Sequence, residues 1–341
     1  MTKSIVSFIG VIAILIIAII FNISLGSVSI PLKQMFMAIF TGETSQETWT
    51  YIILEYRLPK AMTAIMVGSG LGVSGLLMQT FFRNPLAGPY VLGLSSGAGL
   101  GVALLLMGSS LLGLGLSNSL WFSKTSIILA SSLGSVLVMI AILLTSTKIK
   151  DSMALLIIGL MFASLTGAVV NVLSYFSTSD ELQQFVFWSL GSLGDLSWIE
   201  VGILSIFWCI GLLMSVFLIK PLDALLIGEP YAKSLGVNIS TLRFMTVIAT
   251  CILTGSITAF AGPIAFVGLA IPHLVRLVLK TNKHILMIPS VCLGGAIIML
   301  ICDSIAQLPG SDYTLPINAV TSFFGAPIVI WLIVKSRQLN F

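Results

Sequence analysis

The sequence has little charge, and this excludes a water-soluble fold. Only 8% of its 341 residues are charged and the mean hydropathy is +1.12, whereas soluble domains carry roughly a quarter charged residues. The longest polar stretches, residues 41–56 and 220–243, are too short for a sizeable soluble domain. We therefore expect a single transmembrane domain over residues 1–341.

Cysteine and histidine are also scarce, which argues against a disulfide framework or a metal site. The four cysteines lie in apolar runs without C-x-x-C spacing. His273 has no second histidine or acidic cluster at a metal-ligand spacing such as H-E-x-x-H. We expect no bound metal and no cofactor, with a structural or gating role for His273 and Arg276, which share a helix face.

A phosphate-binding loop of the form G-x-x-x-x-G-K-[ST] is absent, so the chain is not expected to hold ATP by that route. Energy must come from a partner or from an ion gradient. Ion-coupled transporters usually bury acids near the middle of the membrane, and the apolar runs here contain almost none. A sodium site made of backbone carbonyls would leave no such trace, so a secondary transporter stays an alternative.

Long apolar runs are the main feature that the sequence does have. A helix needs about 20 mostly apolar residues to cross the hydrocarbon core, so these runs predict an all-α polytopic membrane protein with about ten transmembrane helices. The first run, after Lys3, lacks a small-x-small cleavage signal, so we interpret it as a span. The predicted spans are residues 5–21, 61–82, 90–107, 126–145, 153–176, 199–219, 244–260, 264–279, 286–302 and 317–334.

The positions of Lys and Arg predict the orientation, because positively charged loops stay in the cytoplasm. With the N-terminus inside, twelve of the sixteen basic residues fall on the cytoplasmic side. The four that remain outside are Lys33, Arg57, Lys60 and Lys124. Both termini are therefore predicted to be cytoplasmic.

A weak similarity between two segments of the sequence favours an inverted repeat. Ala87-Gly88-Pro89 precedes Gly93-Leu94, and Ala261-Gly262-Pro263 precedes Gly268-Leu269. The two helices that follow run in opposite directions in the predicted topology, as an inverted repeat requires. Chance similarity in a glycine-rich apolar sequence is the competing explanation.

Residues 93–97 match the nucleophile pattern G-x-S-x-G, with His273 as a candidate base for an intramembrane serine hydrolase. A nucleophile elbow needs a strand, a sharp turn and a helix, whereas Ser95 lies at the start of an apolar helix. We favour helix packing for these residues and keep the hydrolase as a second alternative.

A polar segment between two spans has the composition of a docking element. It forms a short amphipathic helix with Gly236 as its C-terminal stop, and its length and charge suit presentation to a soluble partner. A plain cytoplasmic linker is the alternative. Its residues are Gly228, Glu229, Pro230, Tyr231, Ala232, Lys233, Ser234, Leu235 and Gly236.

Several ordered motifs together resemble one family, the iron-siderophore, haem and cobalamin type ABC transporter permeases (FecCD-like). The resemblance covers residues 57–335. Its motifs are Arg57-Leu58-Pro59-Lys60, Gln79 with residues 83–87, residues 93–99, 175–179 and 188–192, residues 262–269 with Pro272-His273 and Arg276, Asp303, residues 315–317 and residues 325–327. Each motif is short, but their order and spacing are specific.

The resemblance implies a multi-pass subunit of the bacterial cytoplasmic (inner) membrane that imports an iron chelate, haem or cobalamin. It implies a dimer with a second permease copy or a paralogue, two cytoplasmic ATPase subunits that use ATP, and an extracytoplasmic substrate-binding protein. The permease itself is then no enzyme, and no nucleic acid takes part. A ferric siderophore is our first expectation for the cargo, followed by haem and cobalamin.

The resemblance also implies roles for individual residues. Residues 228–236 correspond to the coupling helix that fits a cleft on the ATPase. Arg57 and Lys60 correspond to positions that pair with acids on the binding protein, whereas snorkelling at a helix end is the alternative. Gln307 stands where related members can carry a third docking arginine. The cytoplasmic gate is predicted at Asp151, Ser152 and Met153, which as an alternative form a loop and helix cap.

Overall fold

The computed structural model describes residues 2–108, 123–149, 152–308 and 313–336, and it is all-α over these residues. Six helices are long and apolar enough to cross a membrane, and four shorter apolar helices accompany them. Each of the ten predicted spans corresponds to one of these segments. The polytopic all-α fold is confirmed, while the number of helices that cross the membrane and the side on which the termini lie stay predictions.

The helices are numbered here in chain order. They are α1 (Thr2–Ser24), α2 (Leu32–Thr41), α3 (Glu47–Tyr51), α4 (Leu58–Phe82), α5 (Leu94–Leu106), α6 (Lys124–Lys148), α7 (Ser152–Phe176), α8 (Ser179–Ser189), α9 (Trp198–Phe217), α10 (Ile219–Ile227), α11 (Glu229–Ser234), α12 (Ile239–Ala261), α13 (Val267–Leu279), α14 (His284–Ala306) and α15 (Ile317–Ser336). A π-helical stretch (Ile52–Arg57) leads into α4, and a 3₁₀ turn (Pro89–Leu92) precedes α5.

Helix α4 is the centre of the bundle, and nearly all of it is buried. Small residues make this burial feasible, because they let helix backbones approach where lipid provides no hydrophobic driving force. Gly68 touches the backbone of Gly295 on α14, and Gly75 touches that of Gly268 on α13. The same kind of contact joins α5 to α6 through Gly97 and Gly134.

Buried hydroxyl groups lie between α4 and the helices around it. Ser69 Oγ accepts a hydrogen bond of 2.8 Å from Trp208 Nε1 on α9, and Thr254 Oγ1 on α12 donates to Ser74 Oγ over 3.2 Å. These bonds satisfy polar groups that lipid or apolar side chains would leave unpaired. They position α9 and α12 against α4.

Two local features accompany the predicted inverted repeat. Helices α5 and α13 both contain 13 residues. Each follows a residue with positive φ, Gly93 at 73° and Phe266 at 66°. The left-handed conformation is unfavourable for a phenylalanine. The chain nevertheless turns sharply before both helices, at a glycine before α5 and at a phenylalanine before α13. The repeat itself stays a prediction.

The structure differs from the sequence-based expectation within one predicted span and in two of the predicted connections. Residues 90–107 do not form one helix, because the αL conformation of Gly93 separates the 3₁₀ turn from α5. Helices α2 and α8 occupy stretches that we expected to be connections. Thr178 and Glu181 form a capping box at the start of α8, and such a pair is a helix-start signal that sequence reasoning can use.

Candidate functional site

The polar segment 228–236 folds as predicted into a short helix with defined ends. Gly228, with φ at 148°, provides the turn from α10 into α11, and Pro230 lies in the first turn of α11. The chain turns out of the helix at Gly236, two residues after its last residue Ser234, where φ is 83°, and Val237 N donates to Ala232 O over 3.0 Å. Together with the 3.0 Å bond from Gly236 N to Lys233 O, this is a Schellman ending. The predicted helix stop at Gly236 is confirmed.

Large apolar side chains on this segment and directly before it, at the end of α10, are exposed even though the surrounding sequence is polar. The exposed fractions are 68% for Ile227, 46% for Tyr231 and 58% for Leu235. Ala232, in contrast, is fully buried against the bundle. We name Ile227, Tyr231 and Leu235 the coupling patch. Exposed apolar clusters with polar neighbours typically mark interaction surfaces.

The charges on this segment are paired with each other. Lys233 Nζ lies 3.1 Å from Glu229 Oε1, one helical turn away, and both side chains are largely exposed. Exposed pairs of this type contribute little to stability. The segment therefore presents apolar surface, and the charges of Glu229 and Lys233 beside it cancel each other.

A cleft of about 380 Å³ opens at the opposite end of the bundle, the end predicted to face outward. Tyr56, Lys60 and Asp303 line it together with residues 187, 190–195, 306 and 314–317. Lys60 Nζ lies 3.1 Å from Asp303 Oδ1, and both side chains are nearly buried. A charged pair therefore forms part of the cleft wall.

Asp303 accepts two further hydrogen bonds, one from α1 and one from the residue that follows α14. Its Oδ2 accepts hydrogen bonds from Asn22 Nδ2 at 2.9 Å and from Gln307 Nε2 at 2.8 Å. Sequence reasoning identified Asp303 as a motif residue and Gln307 as a departure from the family pattern, but it did not pair them. The amide of Gln307 supports the Asp303 carboxylate that holds Lys60.

Arg57 lies inside the protein, with an exposed fraction of 6%. Its guanidinium donates to the carbonyls of Ile23 and Ser24 at 2.9 and 3.0 Å, and also to that of Val28. These acceptors lie at the end of α1 and just beyond it, where helix carbonyls lack partners. The docking role of Arg57 stays a prediction, and in this conformation its donors are used internally.

The predicted gate is only partly described. Asp151 lies outside the described residues, and the side chain of Ser152, the first residue of α7, is likewise not described. Met153 follows with an exposed side chain. The gate assignment stays a prediction that rests on the resemblance.

The residues of the hydrolase alternative have separate partners. Ser95 Oγ lies 3.5 Å from Thr258 Oγ1, whereas His273 Nε2 lies 2.7 Å from Pro85 O. No strand precedes Ser95 within the described part of the chain, so the elbow that a serine nucleophile needs is not formed there. The described residues also contain no group of three or more His, Cys, Asp or Glu placed to hold a metal ion.

Known proteins resemble this chain over most of its length. A model of the FecCD transport family matches residues 14–335. The hemin transport system permease protein HmuU of Yersinia pestis is 33% identical over 318 residues, which is 93% of each chain. The vitamin B12 import system permease protein BtuC of Salmonella typhi is 35% identical over 291 residues, or 84% of each. A solved structure of a metal-chelate type ABC transporter in an inward-facing conformation superposes with a TM-score of 0.82 at 29% identity, covering 96% of this chain and 98% of that one.

Proposed function

The chain belongs to the FecCD transport family, and from this membership we propose that it is the membrane-spanning permease of an ABC importer for an iron chelate, haem or cobalamin. Its matched relatives are permease components of multi-subunit transporters. The permease conducts the substrate without changing it chemically. ATP hydrolysis is assigned to separate ATPase subunits, because the sequence has no phosphate-binding loop of its own.

The coupling patch is the observation that carries the ATPase assignment. Ile227 at the end of α10, Tyr231 on α11 and Leu235 directly after α11 are exposed in a stretch of chain that lies outside the apolar spans. Apolar side chains in this position are stabilised when a partner covers them. We propose that residues 228–236 bind in a cleft on a cytoplasmic ATPase. Each of two permease chains then binds one ATPase.

Lys60 is the better placed of the two predicted docking cations. It lies in the wall of the outward cleft, whereas the guanidinium of Arg57 is satisfied by three internal carbonyls. An acid on a binding protein would compete with Asp303 for the Lys60 ammonium group. Charge complementarity of this kind sets the rate and the orientation of docking.

The cargo is proposed by chemical class only. The relatives carry hemin and vitamin B12 in their names, and the similar structure belongs to a metal-chelate type transporter. These cargoes are large chelates, which fit a passage between two permease chains better than a pocket within one. A ferric siderophore remains our first expectation, and Asp151, Ser152 and Met153 remain the proposed gate.

The proposed location is the bacterial cytoplasmic membrane, with residues 1–341 as one permease domain and both termini inside. The charge bias and the apolar helices support this arrangement. In this orientation the coupling patch faces the cytoplasm and the cleft with Lys60 faces outward. The two proposed docking surfaces then lie on the sides where their partners would be.

The decisive experiment is ATP hydrolysis by the complex of this chain and its ATPase in lipid vesicles, with and without a loaded binding protein. Stimulation by the loaded protein, accompanied by uptake that survives collapse of the ion gradient, supports the proposal. If uptake depends on the gradient and no ATPase co-purifies, the secondary transporter becomes the better explanation. A Ser95→Ala variant that loses cleavage of a peptide substrate would instead favour the hydrolase.

A further inference from the structure

Helix α10 connects residues 228–236, here called the coupling segment, to the bundle and is itself packed into it. It ends at Ile227, directly before Gly228 and α11. Leu222 and Leu225 on its inner face are buried, and the helix contacts both α4 and α14. Displacement of α11 therefore acts directly on α10.

Asp223 on α10 holds the beginning of α14. Its Oδ1 accepts a hydrogen bond of 2.9 Å from the backbone N of His284, the first residue of α14, and lies 2.6 Å from His284 Nδ1. The first backbone N–H groups of a helix lack internal partners, and a carboxylate at that end is favourable. Asp223 thus acts as an N-terminal cap supplied by another helix, since α14 has no side-chain cap of its own.

The other nitrogen of the same ring reaches α4. His284 Nε2 lies 2.9 Å from Thr80 Oγ1, and the His284 side chain is 1% exposed. An ionised carboxylate can only accept, so Nδ1 carries the proton that points at Asp223. In the neutral ring Nε2 then accepts from the Thr80 hydroxyl. Both ring nitrogens of His284 therefore have hydrogen-bond partners.

A second, independent bond joins α10 to α4. Arg83, which ends α4 in a left-handed conformation with φ at 47°, donates from Nη2 to Leu225 O over 2.8 Å. Helices α4 and α14 are in turn in backbone contact at Gly68 and Gly295. Helix α10 is therefore bonded to both α4 and α14, two helices whose backbones are in direct contact.

We propose that Asp223, His284 and Thr80 form a joint that transmits displacement of the coupling segment to α4 and α14. The inference rests on the proposed function and adds the route by which ATPase closure would reach the bundle. The three are positioning residues, because they act through the helices that they join. Without the joint, motion of α11 is absorbed between α10 and α14, and ATP is hydrolysed without transport.

Thr80 provides the sharpest test because the change can be nearly isosteric. Thr80→Val removes the hydroxyl with little change of shape, and Thr80→Ser restores it. Asp223→Ala removes the acceptor at the other end of the joint. Lys220→Gln, an exposed position on the same helix, is the matched control. Each variant is assembled with the ATPase and the binding protein in vesicles, and substrate molecules imported per ATP hydrolysed are measured together with thermal stability.

The expected result is that Thr80→Val and Asp223→Ala lower the transport per ATP by about fivefold or more, the range of a typical coupling free energy. Thr80→Ser and Lys220→Gln keep the wild-type ratio, and the double variant is no worse than Asp223→Ala alone, as expected for one connected unit. If the variants lower the thermal stability but leave the transport per ATP unchanged, the joint is overturned, because the three residues then only stabilise the contact between the helices. Absence of coupled hydrolysis in the wild-type complex instead overturns the proposed function itself.

Discussion

Gly68 on α4 and Gly295 on α14 lie with their backbones in direct contact, so neither position has room for a side chain. A Cβ built on either glycine would overlap the carbonyl oxygen of the other. The contact is symmetric and involves backbone on both sides, so no flexible side chain can move to relieve it. The distance between the two helices is therefore set at this pair.

Gly68→Ala is expected to destabilise the protein by about 1–3 kcal/mol, because overpacking forces α4 and α14 apart. The measurement is the thermal unfolding midpoint of the purified chain. Gly167→Ala on α7 is the matched control, since a Cβ there meets open space and alanine is the better helix former. Equal effects of the two substitutions would contradict the close contact.

Lys60→Gln is expected to slow association of the binding protein with the importer and to weaken the salt dependence of that rate. Removing a charge at an interface acts mainly on the association rate. Asp303→Asn is expected to act in the opposite direction, because it removes the internal carboxylate that holds Lys60 at 3.1 Å. Association rates at low salt that are the same in wild type and Lys60→Gln would remove Lys60 from the docking surface.

Arg57→Ala is expected to lower stability by about 1–3 kcal/mol, because it leaves buried carbonyls at the end of α1 without donors. The thermal midpoint of unfolding tests this, with Arg57→Lys as the milder variant that keeps one charged donor. If Arg57→Ala weakens binding of the partner protein while stability is unchanged, the arginine faces that partner rather than α1.

Leu235→Glu is expected to abolish co-purification of the ATPase, because it places a charge in the apolar coupling patch. The permease should remain folded, since the side chain is 58% exposed. Asn282→Glu adds the same charge at another exposed position on the same predicted side and should leave the complex intact. A Leu235→Glu complex that forms with normal yield would show that the patch is not the ATPase contact.

Ser152→Trp is expected to block uptake while the complex assembles normally, because a bulky side chain would obstruct a narrow cytoplasmic end. Uptake into vesicles and yield of the assembled complex are measured together. Met153→Leu, which conserves volume, is the control. Normal uptake by Ser152→Trp would contradict the gate at Asp151, Ser152 and Met153.

The sequence was informative about the spans because long apolar runs have one simple solution in lipid, a helix that satisfies its own backbone. Each predicted span has a helix in the structure, with ends that differ by a few residues. The break at Gly93 was missed, because hydropathy averages over a window and does not detect one residue in a left-handed conformation.

Polar contacts over long sequence separations could not be predicted. Arg57 and Lys60 belong to one motif and lie three positions apart, yet Arg57 turns to α1 and Lys60 to Asp303 on α14. The bond between Asp223 and His284 likewise joins residues 61 positions apart. Such pairs depend on how helices pack, and no local pattern records that packing.

The coupling patch also determines how the chain behaves by itself. Ile227, Tyr231 and Leu235 lie beyond the apolar spans, so detergent that covers the spans leaves these side chains in water. Uncovered apolar surface of this kind promotes aggregation. A permease purified without a partner should therefore self-associate through this end, and co-expression with the ATPase should yield a monodisperse preparation.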